Sequence, residues 1–339
     1  MKKILTVILS LIFLFALTSC QKSDDSVPDS SQSDNLQVIT NENADYDDET
    51  SNKPSIVYFT SEISPEAMVA IYNALGKNLD GEKIAVKLST GEPPASNYLD
   101  PRLIKDVVEL VNGVIVESNT AYGGSRSQTA MHYQVAEDHG FTEIAAFMIL
   151  DENGSLSLPV ENGFHHSENL VGAAFSDFDG FLVLTHFKGH AMAGFGGAIK
   201  NISIGIASSE GKSLIHTAGR SHTGFYGNTN DFLESMADAG WSVVNALDGN
   251  IVYINVMNHL SIDCDCNGNP AQPDIHDIGI LASTDPVALD QACVDLIYAA
   301  EGNESFVRRM EGINAVRVLE RGEEIGLGNR SYVLISIDE

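Results

Sequence analysis

The sequence predicts an α/β fold: a mostly parallel sheet with helices on both faces. Short β-rich runs alternate with helical patterns along most of the chain, a βαβα rhythm that favours parallel pairing. The 339 residues, 43% of them hydrophobic, are enough to bury a sizeable core. No internal repeat interrupts this reading. A composition shift around residues 161–169 marks a candidate boundary between two subdomains.

Ser55–Thr60 reads as the first strand, and Ser64 begins a helical pattern with Glu66 in its first turn. Lys83–Leu88 is a second strand, Asp100-Pro101 opens a second helix, and Gly113–Glu117 is a third strand. A helix rich in Ala and Gln is expected from Ser125, its cap, to Gly140, followed by a strand over Ala145–Leu150. Apolar runs at Leu170–Phe175 and Gly180–Thr185 follow, then a helix over Asn230–Leu247. Strands are expected at Ile251–Val256 and Ile278–Ala282, an amphipathic helix at Asp285–Ala300, and a closing strand at Tyr332–Ile337.

The N-terminal residues read differently. Lys2 and Lys3 precede an apolar stretch, Ile4–Leu17, broken only by Thr6 and Ser10. That is shorter than the roughly 20 residues needed to span a bilayer, so 1–19 reads as a signal peptide. Leu17-Thr18-Ser19-Cys20 resembles the bacterial lipobox, which implies cleavage before Cys20 and a lipid on its sulfur. Residues 20–54 are rich in Ser, Asn and Asp and read as a disordered acidic tether, because they bury too little to offset their ordering entropy. The folded domain then spans 55–339. The expected location is the bacterial cell envelope, lipid-anchored on the periplasmic or cell-surface face.

Nineteen Lys and Arg against 47 Asp and Glu give a net charge of −28. Phosphate backbones are held by clustered cations, so nucleic acid is excluded as a main partner. Four cysteines are too few for a disulfide scaffold.

Three clusters carry candidate chemistry. His186-Phe187-Lys188-Gly189-His190 follows a strand, where open α/β sheets place ligands. Gly194, Gly196 and Gly197 allow close backbone approach to an anion if a helix begins near Ala198, and Lys200 adds charge. A glycine-rich turn with structural histidines is the plainer alternative. The second cluster is Asp263-Cys264-Asp265-Cys266. It reads as a metal or metallocluster site, a redox-active thiol pair, or a structural turn. Two cysteines do not complete a zinc or iron–sulfur site, so His190, His186, His216 and Asp274 are the candidate further ligands. Cys293 falls in an apolar helix and is expected in the core. In the third cluster, Asn119, Tyr122 and Arg126 follow the strand ending at Glu117 and suit a small ligand, and Lys87 ends another strand. His132 is more simply structural.

The stretches NTAYGGSRSQTAMHYQVAEDHGF (119–141), LTHFKGHAMAGFGGAIKNISIGIASSEGK (184–212), DCDC (263–266) and DIGILASTDPVALDQACVDLI (277–297) resemble the bacterial and archaeal family called domain of unknown function 362. The family label implies a core fold and a candidate site but no reaction. Many of its members insert a ferredoxin-like module with two four-cysteine runs after the position of His216. Residues 217–249 contain no cysteine here, so 4Fe-4S electron transfer does not carry over. The expectation is a lipoprotein binding a metal ion or metallocluster through Cys264, Cys266, His190 and His186, beside a small anionic ligand. A redox or metal-handling enzyme extends that reading. The alternatives are a non-catalytic binder of an anionic metabolite, or a degenerate relative that lost electron transfer.

Overall fold

The computed structural model describes residues 38–40, 53–225 and 227–338. The expected signal peptide, Cys20 and most of the expected acidic tether lie outside the described residues. The described residues form one compact unit.

The chain runs β1 (Val38–Thr40), β2 (Ser55–Thr60), α1 (Pro65–Ala74), β3 (Ile84–Lys87), α2 (Pro101–Leu110), β4 (Val114–Glu117), α3 (Thr129–Asp138) and β5 (Phe147–Ile149). A hairpin of β6 (Ser155–Pro159) and β7 (Glu168–Gly172) follows, and residues 161–167 lie in its connection. Next come β8 (Gly180–His186), a small hairpin of β9 (Lys188–His190) and β10 (Gly194–Gly196), and α4 (Ala198–Ser203). The chain closes with α5 (Ser209–His216), α6 (Thr229–Ala246), β11 (Ile251–Met257), β12 (Gly279–Ser283), α7 (Pro286–Ala299), α8 (Glu304–Ile313), α9 (Arg317–Ile325) and β13 (Tyr332–Ser336).

Nine strands form one sheet in the order β1-β13-β2-β12-β11-β8-β3-β4-β5. From β11 through β8, β3 and β4 to β5 every pair is parallel, and β13 is parallel to β2. The antiparallel β12 sits between β11 and β2. The fold is therefore the expected mostly parallel α/β sheet. Val38–Thr40 departs from the expected tether, because this β-branched run pairs with β13 at the sheet edge.

Both sheet faces are covered, which explains why the central strands are apolar without alternation. In β8, Phe181 and Val183 enter one core while Leu182 and Leu184 enter the other. The period of two in strand side chains divides them. Helices α1 and α2 pack over the second core, while α4, α6, α7, α8 and α9 contribute to the first.

Local chemistry explains the helix starts. Ser64 accepts from Ala67 N ahead of Pro65, and Asp100 accepts from Arg102 N ahead of Pro101. Asp285 likewise accepts from Val287 and Ala288 N ahead of Pro286. Two helix expectations need correction. Ser125 caps nothing: Ser125–Ser127 is a separate 3₁₀ turn, and α3 starts at Thr129 after an extended Gln128. The turn carries Arg126 inward to two buried carboxylates, which a continuous helix from Ser125 does not do here. The helix read as amphipathic over Asp285–Ala300 is buried on all sides from Pro286 to Val294, since it lies between the sheet and α4 and α9.

Candidate functional site

Parallel pairing delivers the ends of β3, β4 and β8 to one edge of the sheet. Lys87 ends β3 and is fully buried; its Nζ donates to Glu117 Oε2 at 3.0 Å and Asn201 Oδ1 at 3.1 Å. Glu117 ends β4, and its Oε1 accepts from Thr90 N and from Arg126 Nη1, each at 3.1 Å. Arg126 also reaches Glu92 Oε2 at 3.1 Å and Tyr122 Oη at 3.0 Å. Burial alone would raise the Glu117 carboxyl, but Lys87 and Arg126 overcome it and hold the group at about 2.

The chain beyond β8 turns the His-Phe-Lys-Gly-His run into the β9–β10 hairpin. Lys188 pairs with Asp265 and so is already matched. His186 donates from Nε2 to Asn258 O at 2.7 Å, leaving Nδ1 3.6 Å from Asp265 Oδ1. Burial, then the neighbouring Lys188, pushes His186 down to about 4. His190 Nδ1 accepts from Met192 N at 3.2 Å and Ala193 N at 3.0 Å. A ring whose Nδ1 lone pair accepts carries its proton on Nε2. Burial, with Lys200 next, drives its pKa well below the usual value, so His190 is a neutral donor.

The glycines serve the protein itself more than an anion. Helix α4 does begin at Ala198, but its first amides are taken: Asp290 accepts from Ala198 N at 2.7 Å and Ile199 N at 3.0 Å. A Cβ on Gly197 would lie 2.3 Å from that carboxylate, so glycine is what admits it. Gly194 has φ +81°, and a Cβ there would meet Ala315 at 2.3 Å. Gly196 pairs with Lys188 in the hairpin. The expected backbone anion seat is thus filled by a buried carboxylate, and Gly194 lies off the cavity.

Cys264 and Cys266 sit in the loop between β11 and β12 and are joined by a disulfide, with Cα atoms 5.2 Å apart. Glu92 N donates to Asp265 O at 2.7 Å, and Ala95 N donates to Gly268 O at 3.0 Å, which ties this loop to residues 92–95. Candidate ligand atoms of His190, Cys264 and Cys266 lie within 4.8 Å of one another, as the composite site requires. In this bridged state the sulfurs are not thiolates and the His190 Nδ1 lone pair is occupied, so the set does not fit a metal ion as it stands. His186 is outside the set. Asp274 is bonded by Ser305 and belongs to another part of the surface.

These groups share one cavity of about 590 Å³, lined by Lys87, Arg126, Lys188, Lys200 and Lys212 among other residues. His186, His190, His216 and the disulfide line it too, with Tyr122, Gly196 and Gly197. Asn119 does not; its Nδ2 donates to Thr129 Oγ1 and its amide to Asp151, which holds the β4–α3 turn. Five cationic side chains face two carboxylates, Glu117 and Asp265, in a chain of net charge −28. Lys87, Arg126 and Lys188 are paired. Among the described residues, Lys200 and Lys212 have no acid within ion-pair reach; Lys212 Nζ donates only to Ala207 O. Burial first, then Lys87 and Arg126, lowers Lys200 to about 8. Lys212 is also brought to about 8, chiefly by burial, against the opposing pull of Asp151 and Glu117.

Sequence reading assigned no role to Glu117, Lys212 or Asp290. An acid closing an apolar strand, as in Val114–Glu117, or one inside an apolar helix, as at Asp290, is the signal that could have found two of them. Lys212 follows Ser209-Glu210-Gly211 in an ordinary polar stretch and carries no such signal.

A family model described as domain of unknown function (DUF362) matches residues 84–295, more than half of the chain. No curated protein matches. Among solved structures, the chain is similar to the lactate racemase apoprotein from Thermoanaerobacterium thermosaccharolyticum, at 14% identity and a TM-score of 0.43. That likeness covers 72% of this chain and 57% of the other. A crystal structure of a protein from Thermotoga maritima is similar at 13% identity and a TM-score of 0.39, covering 78% of this chain and 60% of that one. The chain thus spans about three fifths of the length of these solved chains, and such distant likeness says nothing of its activity.

Proposed function

Starting from a chain that belongs to the family of domain of unknown function 362, a label that names no reaction, we propose that it binds a small dianion. The ligand class is a short dicarboxylate or a phosphate monoester. One observation carries the reading: Lys200 and Lys212 are unpaired cations on a cavity whose other three cations are matched. Burying a charge without a partner is costly, and a ligand bearing two negative charges removes that cost. His190 and Tyr122 are further residues with polar groups that line the same cavity.

The test is titration of the purified full chain with succinate and with inorganic phosphate, followed by calorimetry. Lys200→Met and Lys212→Met should each weaken binding about 10- to 100-fold, the worth of one desolvated charge-assisted contact. Neither should lower stability, because each removes a charge that has no acid within ion-pair reach. Unchanged affinity in both variants would reject the seat.

A second reading rests on the 4.8 Å grouping of His190, Cys264 and Cys266. After reduction the two sulfurs become thiolate donors for a soft or borderline cation. His190 would have to release the Met192 and Ala193 amides to join them. Zinc content measured with and without prior reduction tests this; Cys264→Ser should abolish any zinc taken up.

We also place the protein in a cell envelope, anchored through lipid on Cys20. The lipobox-like Leu17–Cys20 supports this, and so does the Cys264–Cys266 bridge, since disulfides persist outside the reducing cytosol. Cys20→Ala should release the protein from the membrane fraction.

A further inference from the structure

We propose that Cys264–Cys266 is a redox dithiol that exchanges with small acidic thiols and their disulfides, drawn in by Lys200 and Lys212. This rests on the dianion seat just described and names the chemistry done beside it. Three observations lead here. The disulfide is half-buried on the wall of the cationic cavity, not on the outer surface, so a reagent must enter that field to reach it. Cys266 N donates to Cys264 Sγ at 3.2 Å, a contact that strengthens when that sulfur becomes negative. A ring nitrogen of His190 lies within 4.8 Å of both sulfurs, so an imidazole stands beside the bond that opens.

Those contacts assign the order of bond making. The thiolate of the incoming acidic thiol attacks Cys266 Sγ. The bond to Cys264 Sγ breaks, and its electron pair stays on Cys264, held by the Cys266 amide. A second acidic thiolate attacks the substrate-borne sulfur of the mixed disulfide and expels the Cys266 thiolate. Two thiolates are oxidised to one small disulfide, the protein bridge gains two electrons, and each protein thiolate takes a proton from solvent. The reverse sequence reduces the small disulfide. No further reactant is needed. A carboxylate on the incoming thiol interacts with the unpaired lysines while its sulfur reaches Cys266, so charge should select the substrate.

The experiment compares mercaptosuccinate, 2-mercaptoethanol and cysteamine on the full chain. Opening is followed by alkylation and mass spectrometry, each rate being divided by that thiol's rate with an unhindered reference disulfide. Cys293, fully buried, is the internal control that stays unalkylated in the folded protein. Mercaptosuccinate should be at least about 10-fold faster than cysteamine on this scale, and Lys200→Met should erase most of that preference. Succinate should slow mercaptosuccinate but not cysteamine. Equal normalised rates for all three thiols would overturn the proposal, as would ready alkylation of Cys264 and Cys266 with no thiol added. Succinate binding reports on the seat separately. If succinate binds and opening is indiscriminate, only the exchange chemistry fails; if succinate does not bind, the seat fails first.

Discussion

The cavity holds two kinds of cation, and the contrast between them separates framework from function. Lys87 and Arg126 converge on Glu117; Asn201 and Leu88 O accept from Lys87, and Glu92, Ser89 and Tyr122 accept from Arg126. Lys200 in α4 and Lys212 in α5 share the cavity but have no such acid. The first group is a closed, internally satisfied network that ties β3, β4 and the Arg126 turn together. The second is left incomplete by the protein. Complete networks hold a shape, and incomplete ones wait for a ligand.

The largest expected effect comes from breaking the complete group. Glu117→Gln leaves Lys87 and Arg126 buried beside a neutral amide and should cost about 3–5 kcal/mol in denaturant unfolding. A loss under about 1 kcal/mol would mean that Glu117 does not organise the frame. Acid tests the same residue. Its carboxyl titrates at about 2 in the fold against an ordinary 4.5, so its stabilisation is complete above 4.5 and is lost as pH falls towards 2. That window should account for at most about 3.5 kcal/mol in the parent protein and vanish in Glu117→Gln.

A third, smaller effect sharpens the contrast from outside both groups. Gly194→Ala forces a left-handed backbone and a Cβ against Ala315, so it should destabilise by about 1–3 kcal/mol. Succinate affinity should not change, since Gly194 packs against α8 and the turn after it and does not touch the cavity. A selective loss of affinity would restore the glycine to the ligand. The smallest effect is the pH dependence of binding. Lys200 and Lys212 lose their charge near 8, so affinity for succinate, which keeps both charges at neutral pH, should fall as pH rises from neutral through 8. An affinity flat from 6 to 10 would exclude both lysines.

Much of the frame was legible because it rests on local rules. Ser64, Asp100 and Asp285, each directly before a proline, announce their helices through contacts made within three residues. The strands ending at Lys87 and Glu117 are short apolar runs, and residues beyond such ends form the ligand edge of a parallel sheet. Lys87, Tyr122, Arg126, Lys188 and Lys200, read as lying at or after strand ends, line one cavity, and the Cys264–Cys266 pair, read from its donor chemistry, lines it too. The Ser125 cap was misread because Arg126 is pulled by Glu92 and Glu117, partners 34 and 9 residues away. The helix over Asp285–Ala300 read as amphipathic, whereas its Asp290 is buried and accepts from the first α4 amides within the core.

Composition, spacing and local capping therefore determined the α/β class, the strand ends and the set of side chains able to reach one edge. Which of those side chains are already satisfied was decided only by the tertiary structure. Pairing depends on residues far apart in the chain: Lys188 meets Asp265 across 77 positions, and Asp290 takes the α4 amides across more than 90. Sequence records the identity of a charge, but its partner, and hence its freedom to hold a ligand, exists only after distant segments have packed.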